Sequence, residues 1–519
     1  MVSRETLERR SRQMAVAAEK LAGSLSALKE LQEQGKVALR ASDMSRTHRE
    51  RLLKNGFIQE VMKGWYIPTR PDEPPGETSS WYASFWAFCS AYLGERFGDE
   101  WCLSPEQSLS LHIGNWQVPK QLFVRSRKGG NKPTGLLYDT SIFDSRLELP
   151  PAQDSELKEG LRIYTLPASL IGCGAGEYKR RPAELRAALA MVKDASDPLA
   201  RLLERGHSVI AGRLAGAMRN IGRTRIADDI IAAMQAAGHT VTELDPFEDR
   251  PPATFDPKET SPHVNRLRMN WTKMREDILE AFPASPGAVT DIAAYLKQVE
   301  DVYVSDAYHS LSIEGYKVSA DLIEKVRSGN WSPDNSNDDQ KDQNALAARG
   351  YNQAFQSVKQ SIEKVLRGEN AGAIAGRDHA SWYRELFAPS VTAGIIKASD
   401  LAGYRGSPVH IRRSRHTPPR HDAVRDLMPA FFDLLEKETE PAVRVVLGHF
   451  MFVYIHPYAD GNGRMGRFLM NVMMAAGGYP WTIIPLERRD DYMTALESAS
   501  VSEDIRPFTK LLGELVGKA

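Results

Sequence analysis

Cysteine is scarce in this chain. Only Cys89, Cys102 and Cys173 occur in 519 residues, and no two of them stand at a metal-ligand spacing. That scarcity argues against a disulfide framework or a cysteine-based zinc site and fits a reducing compartment. Long apolar runs are missing as well, since none approaches the ~20 residues that a bilayer-spanning helix needs. The start, Met1-Val-Ser-Arg-Glu-Thr-Leu-Glu-Arg-Arg, lacks the apolar stretch of a secretory leader. These absences predict a soluble cytoplasmic protein with no membrane partner. Net charge is absent too: Lys plus Arg and Asp plus Glu both count 67, so whole-chain charge does not point to nucleic acid or to a lipid surface. The 42% hydrophobic and 26% charged content is ordinary for a folded protein, and the length allows two or three domains.

Against this plain background one string stands out: His456-Pro457-Tyr458-Ala459-Asp460-Gly461-Asn462-Gly463-Arg464-Met465-Gly466-Arg467. Residues 441–455 before it, apolar apart from Arg444 and His449, are long enough for a buried helix. Residues 464–476 after it read as a second helix, stopped by Gly477 and Gly478. The string is therefore a loop that opens into a helix N-terminus, where free N–H groups and the positive dipole end favour an anion. Gly461 and Gly463 let the backbone turn and aim N–H groups at phosphate oxygens. Asp460 is a hard oxygen ligand suited to Mg²⁺ between phosphates. Arg464 and Arg467 share a helix face and can both reach a polyphosphate. His456 has the proton affinity to accept a proton from an attacking hydroxyl.

The string resembles the active-site motif of the Fic (filamentation induced by cAMP) family, with Tyr458 where that pattern has Phe. Further resemblance lies in residues 306–315, in Ala348-Arg-Gly-Tyr351, in Tyr404-Arg405-Gly-Ser-Pro408-Val409 and in Arg489-Asp-Asp-Tyr492, so that it covers roughly residues 262–515. The resemblance implies transfer of AMP from ATP, with Mg²⁺, to a Ser, Thr or Tyr hydroxyl of a target protein and to the chain itself. It implies His456 as general base, Asp460 as metal ligand and Gly461 and Gly463 as anion cradle. Asn462 would meet the α-phosphate, Arg464 the β-phosphate region and Arg467 the γ-phosphate. Relatives that act as kinases replace glycine in this loop; both glycines are kept here, which favours nucleotidyl transfer.

Ser310-Leu-Ser-Ile-Glu314-Gly315 is similar to the family's inhibitory motif. Ser310 and Glu314 share a helix face, and Gly315 ends the helix. Glu314 is expected to pair with Arg467 in place of a γ-phosphate, as the internal inhibitory helix of an auto-inhibited member. Residues 404–419, with β-branched residues and terminal prolines, predict a short exposed hairpin or flap. In the family such a flap docks the target segment, which here would involve Val409, His410 and Ile411. Arg412, Arg413 and Arg415 are read either as part of that surface or as a solvated cluster. Residues 330–343 read as a polar loop.

A proline-rich acidic stretch over residues 245–262 predicts a linker. Ahead of it, residues 24–40 suggest a helix, and Ser45 caps the basic helix Arg46-Thr-His-Arg-Glu-Arg-Leu-Leu-Lys-Asn-Gly56. A hairpin follows over residues 57–68, turning at Lys63-Gly64. Together these predict a winged helix-turn-helix over residues 1–75 that binds duplex DNA through Arg46, Arg49, Arg51, Lys54 and Lys63, a protein-contact role being the alternative. Residues 76–244 are expected to form an α/β and helical region, and the amino-terminal half resembles AbiEi-type antitoxins. Gly212-Arg-Leu-Ala-Gly216 reads as close helix packing. The expected fold is thus multidomain and mainly α: the winged helix, the antitoxin-like region, the linker, and an all-α Fic domain over residues 263–519 with a hairpin flap. A second copy of the chain is an allowed partner. The competing functions are a DNA-binding regulator whose Fic half senses nucleotide, and a metal hydrolase using His449 and His456. His449 is read as core, because the pair lacks a further ligand at metal-site spacing.

Overall fold

Apolar side chains gather into a small amino-terminal cluster, an aromatic-rich α/β cluster, a helical cluster and one large carboxy-terminal core. The computed structural model describes residues 4–71, 73, 77–247, 261–331 and 339–517. It is mainly helical, and no helix among the described residues is long and apolar enough to cross a membrane.

The chain opens with a helix, Arg4–Glu33, longer at its front than sequence predicts and ended before residues 39–40, which form strand β1 (Leu39–Arg40) instead. Gly35 takes φ 77° and turns the chain there. Ser45 caps the basic helix Arg46–Lys54, its hydroxyl accepting from His48 N at 3.3 Å. The hairpin of β2 (Ile58–Met62) and β3 (Trp65–Pro68) follows, and the sheet order is β1-β3-β2.

Helix Ser79–Phe97 then packs its aromatic face on a second sheet of β4 (Cys102–Leu103), β5 (Gln121–Ser126), β6 (Pro133–Gly135) and β7 (Ser141–Arg146), ordered β4-β5-β7-β6. Strands β5 and β7 run parallel, and β8 (Ser155–Lys158) pairs with β9 (Leu161–Tyr164) as a hairpin. Helices Pro182–Ala190, Ser196–Arg205, Ser208–Asn220 and Thr224–Ala236 complete this half. Gly212 and Gly216 do allow a close approach, but of the extended backbone at Thr242 and Leu244 rather than of a helix. Leu244 N donates to Gly212 O at 3.1 Å.

Of the expected linker, residues 248–260 lie outside the described residues, and Phe247 is packed on Tyr178 and beneath the Arg186 guanidinium. Helix Pro262–Ala281 contributes Met269 to the helical cluster of the first half and Leu267, Trp271, Met274 and Ile278 to the large core, so it joins the two. Of the expected loop over residues 330–343, residues 332–338 lie outside the described residues, while helix Asp339–Leu366 already begins inside that range. The large core is built by that helix with Ala371–Thr392, His421–Lys437, Pro441–Ile455, Asn462–Ala476 and Arg489–Ser502.

The expected hairpin over residues 404–419 is not present: that stretch contains no strand. Two of its backbone donors are taken by carboxylates from distant parts of the chain. Arg413 N donates to Glu77 Oε1 at 3.3 Å and Arg415 N to Glu497 Oε1 at 2.9 Å. Val409, His410 and Ile411 are half-buried in it.

Candidate active site

Helix Pro441–Ile455 buries Val443, Val445, Val446, Leu447, Phe450, Met451, Phe452 and Ile455, which leaves its C-terminus rigid beneath the loop. The helix stops at His456, which adopts the left-handed conformation with φ 53° and ψ 59°. Such a backbone costs a non-glycine residue roughly 1–2 kcal/mol. Local hydrogen bonds offset it: His456 N donates to Phe452 O at 3.0 Å, and Nδ1–H to Val453 O at 3.2 Å. Burial lowers the imidazole's proton affinity, the Val453 carbonyl opposes this and the Arg405 charge adds to it, bringing the pKa down to about 4. The ring is therefore neutral at pH 7 with its proton on Nδ1, leaving the Nε2 lone pair as a base.

Two contacts hold the loop in shape. Arg405 Nε donates to His456 O at 2.8 Å and Arg405 N to Pro457 O at 2.9 Å, while its other guanidinium nitrogens bond Ser407 O and Pro419 O. Asn462, 2% exposed, closes both ends of its amide on Tyr458: Oδ1 accepts from Tyr458 N at 2.9 Å and Nδ2 donates to Tyr458 O at 2.8 Å. The Asn462 amide thus clamps the loop at the place where a phosphate contact is expected. The Tyr458 ring is buried and stacks on Tyr383 at a centroid distance of 3.7 Å.

Gly461, at φ 79°, leads into helix Asn462–Ala476, and a methyl group there would lie 2.8 Å from Phe387 Cε2. Asp460 Oδ1 accepts from Gly461 N at 2.6 Å, and the side chain remains 68% exposed. An exposed carboxylate beside a helix N-terminus fits Mg²⁺, which binds through one or two carboxylates plus phosphates and keeps several waters. No group of three or more His, Cys, Asp or Glu side chains able to cage a metal occurs among the described residues. Arg464 is 2% exposed, lies over the rings of Tyr316 and Phe387, and reaches Asp460 Oδ2 at 3.4 Å.

Arg467 is 4% exposed and fully oriented by helix Tyr303–Ile313. Its Nε donates to Ser310 Oγ at 2.8 Å, and its Nη2 to Ser310 O at 3.0 Å and to Glu314 Oε1 at 2.7 Å. The remaining nitrogen, Nη1, is buried with no hydrogen-bond partner among the described residues. Glu314 Oε1 also sits where a methyl on Gly463 would fall, directly over the first turn of the helix. Burial works against ionisation of Glu314, but Arg467 and then Arg464 outweigh it and hold the carboxyl below the usual carboxylate range. Gly315, at φ 92°, ends the helix, and Arg489 Nε donates to Ile313 O at 3.0 Å to fix that end.

The structure thus brings together His456, Asp460, Gly461, Asn462, Gly463, Arg464, Arg467, Ser310, Glu314 and Gly315. His449 stays in the core: it is fully buried with Nε2 against Tyr492 Oη at 2.8 Å. The basic residues of the amino-terminal unit belong to helix Arg46–Lys54 and to the turn between β2 and β3, and several are spent internally. Arg46 pairs with Glu50, Arg49 donates to Ala41 O at 2.9 Å, and Arg51 donates to Lys20 O and Ser24 Oγ at 2.8 Å each; Lys54 and Lys63 are exposed. Sequence reasoning missed the roles of Arg405 and of Tyr316 and Phe387. The basic Arg405 carried no local sign that it would be buried against carbonyls fifty residues away.

Residues 379–474 match the model of the Fic/DOC family, so the chain carries a Fic domain. It is 26% identical over 275 residues to "Protein adenylyltransferase Fic" of Drosophila willistoni, covering 51% of this chain and 51% of that one. It is 27% identical over 220 residues to the protein of the same name in Nematostella vectensis, covering 42% and 47% of the two chains. The chain spans about half the length of the curated relatives it matches. Among solved structures, Fic-1 from C. elegans aligns over 66% of this chain and 96% of its own, at 19% identity and a TM-score of 0.36.

Proposed function

We propose that this protein transfers AMP from ATP to a Ser, Thr or Tyr hydroxyl of a target protein and of itself, and that Glu314 holds the reaction off. The observation that carries the reading is the place of the Glu314 carboxylate. It is an anion seated over Gly463 at a helix N-terminus and bound to Arg467, beside a buried guanidinium nitrogen with no partner among the described residues. A site that takes one internal anion there is built for the oxygens of a phosphate chain. The protein adenylyltransferase relatives supply the chemistry to expect of it.

In this reading Gly461, Gly463, Arg464 and Arg467 bind the polyphosphate, and Asp460 would hold Mg²⁺, which would neutralise phosphate charge. His456 Nε2 takes the proton of the target hydroxyl as its oxygen attacks the α-phosphorus. The bond to the β-phosphate oxygen breaks, and pyrophosphate leaves. The orientation of the base comes from Val453 O and Arg405, and that of the loop from Asn462.

For the amino-terminal unit we retain duplex DNA as ligand, resting on Arg46 and on the exposed Lys54 and Lys63. The alternative, a regulator whose Fic half senses nucleotide, predicts that output survives loss of His456. The deciding experiment follows label from α-labelled ATP onto protein in the wild-type chain, Glu314→Gly and Glu314→Gly/His456→Ala. Label in the second and none in the third is expected, with nucleotide binding kept in all three. Equal label with and without His456 overturns the assignment.

A further inference from the structure

Residues 401–421 contain Arg405, Arg412, Arg413, Arg415 and Arg420 and no acidic residue at all. Three of the five arginines are used inside the protein. Arg405 holds the catalytic loop, Arg415 Nη2 donates to Val118 O at 3.1 Å, and Arg420 pairs with Glu159 and Asp422. The other two are exposed, and neither guanidinium has an ion pair among the described residues. They stand together at the tip of a turn: Ser414 N donates to Ile411 O at 3.2 Å, and Arg413 adopts φ 57°.

Both ends of the segment are fastened to the carbonyls around His456. Arg405 N bonds Pro457 O at one end, and His416 Nε2–H bonds Tyr454 O at 2.9 Å at the other. The turn is therefore held by the catalytic loop. Its donors already bind carboxylates: Arg413 N donates to Glu77, and Arg415 N and the Ser414 hydroxyl donate to Glu497. Glu77 Oε1 also accepts from Thr78 N and Ser79, and Glu497 is spent on residues 414 and 415, so both acids are engaged by backbone and hydroxyl donors. Both carboxylates keep their charge at the base of the turn, while Arg412 and Arg413 carry two positive charges on its solvent side.

We propose that this turn selects target segments that carry Asp or Glu beside the hydroxyl to be modified, with Arg412 and Arg413 as the specificity-determining contacts. The inference rests on the reading of the loop as a protein adenylyltransferase site. Charge complementarity names the occupant: an extended acidic segment brings carboxylates that two planar guanidiniums bind in pairs. Exposed contacts of this kind are individually weak, so the two together give a preference of about tenfold that salt erodes.

The test uses the full chain carrying Glu314→Gly and three synthetic peptides of equal length with the same central Ser, Thr and Tyr. One is flanked by Asp and Glu, one by Lys and Arg, and one by Gln and Gly. Binding is read by fluorescence anisotropy at low and high salt, and transfer by label from α-labelled ATP in competition. The acidic peptide should bind and label about tenfold better than the neutral one at low salt, and Arg412→Glu/Arg413→Glu should move the preference to the basic peptide. Peptides labelled without charge preference, while the chain labels itself, overturn the specificity and leave the transfer reading standing. Charge-dependent binding that the double variant reverses, with no label anywhere, supports the docking surface and refutes the transfer reading. A single-stranded oligonucleotide of equal charge that displaces the acidic peptide at lower concentration overturns the assignment to protein.

Discussion

Replacing Glu314 by alanine removes the one carboxylate bound to Arg467 while leaving the helix that carries it. Glu314 caps that helix with φ −80° and ψ −1°, a conformation alanine adopts without strain. Arg467 keeps its two bonds to Ser310, so the guanidinium stays in place but loses its anion. A phosphate entering the wild-type site has to displace a charge-assisted contact of 2.7 Å from a guanidinium that is 4% exposed. Such hydrogen bonds contribute about 1.5–3 kcal/mol, which is roughly a 10- to 150-fold change in an equilibrium. The same carboxylate oxygen also fills the space over Gly463, so its removal opens the cradle. Label from α-labelled ATP on protein, at ATP well below saturation, should therefore rise by about 10- to 150-fold in Glu314→Ala. Arg467→Ala should give no such rise, because it frees Glu314 and destroys the phosphate contact together. The double variant should behave like Arg467→Ala. Equal label in wild type and Glu314→Ala refutes the brake and moves regulation to the amino-terminal half or to a partner.

The pH profile tests the state of His456. A ring whose pKa is brought from 6.5 down to about 4 stays neutral, and so remains a base, until pH falls through that value. For Glu314→Ala, kcat/KM should be flat from about pH 8 to about pH 5.5, and a limb centred near the ordinary histidine value contradicts the buried neutral ring. Asn462→Ala leaves Tyr458 N–H and C=O without their partners. It should destabilise the protein by about 2–4 kcal/mol, read as a lowered urea midpoint, and an unshifted midpoint contradicts the clamp. Binding of the full chain to duplex DNA, if Lys54 and Lys63 meet phosphates, should weaken with salt at a log–log slope near −0.9 per contact and fall in Lys54→Ala/Lys63→Ala. Absence of binding at low salt makes the amino-terminal unit a protein-contact module.

What was legible in the sequence was local. Residues 441–455 are mostly apolar, Gly477 and Gly478 stop the next helix, and the loop between them has its own spacing, so both helices and the candidate site could be placed. The pairing of Ser310 and Glu314 with Arg467 spans more than 150 residues, and only the resemblance connected the two strings. Elsewhere a local reading misled because a distant partner decides the outcome. Val409 and Ile411 suggest a strand, yet the neighbouring amides of Arg413 and Arg415 find carboxylates from residues 77 and 497 rather than another strand. Arg49 and Arg51, read as groove contacts, also donate within the protein to Ala41 O, and to Lys20 O and Ser24 Oγ, contacts that their local sequence does not reveal.

The same long-range contacts tie the two halves to one catalytic feature. Glu77 and Val118, from the amino-terminal half, bond the segment whose ends grip the carbonyls of Tyr454, His456 and Pro457. A ligand bound to that half can act on His456 by shifting this segment or helix Pro262–Ala281, because coupling requires a contact that differs between the free and bound states. Glu314 has no such connection: its partner, Arg467, is held by Ser310 and lies wholly within the carboxy-terminal core. In the adenylyl-transfer reading, access of the nucleotide and access of the target would then be governed by separate sets of contacts.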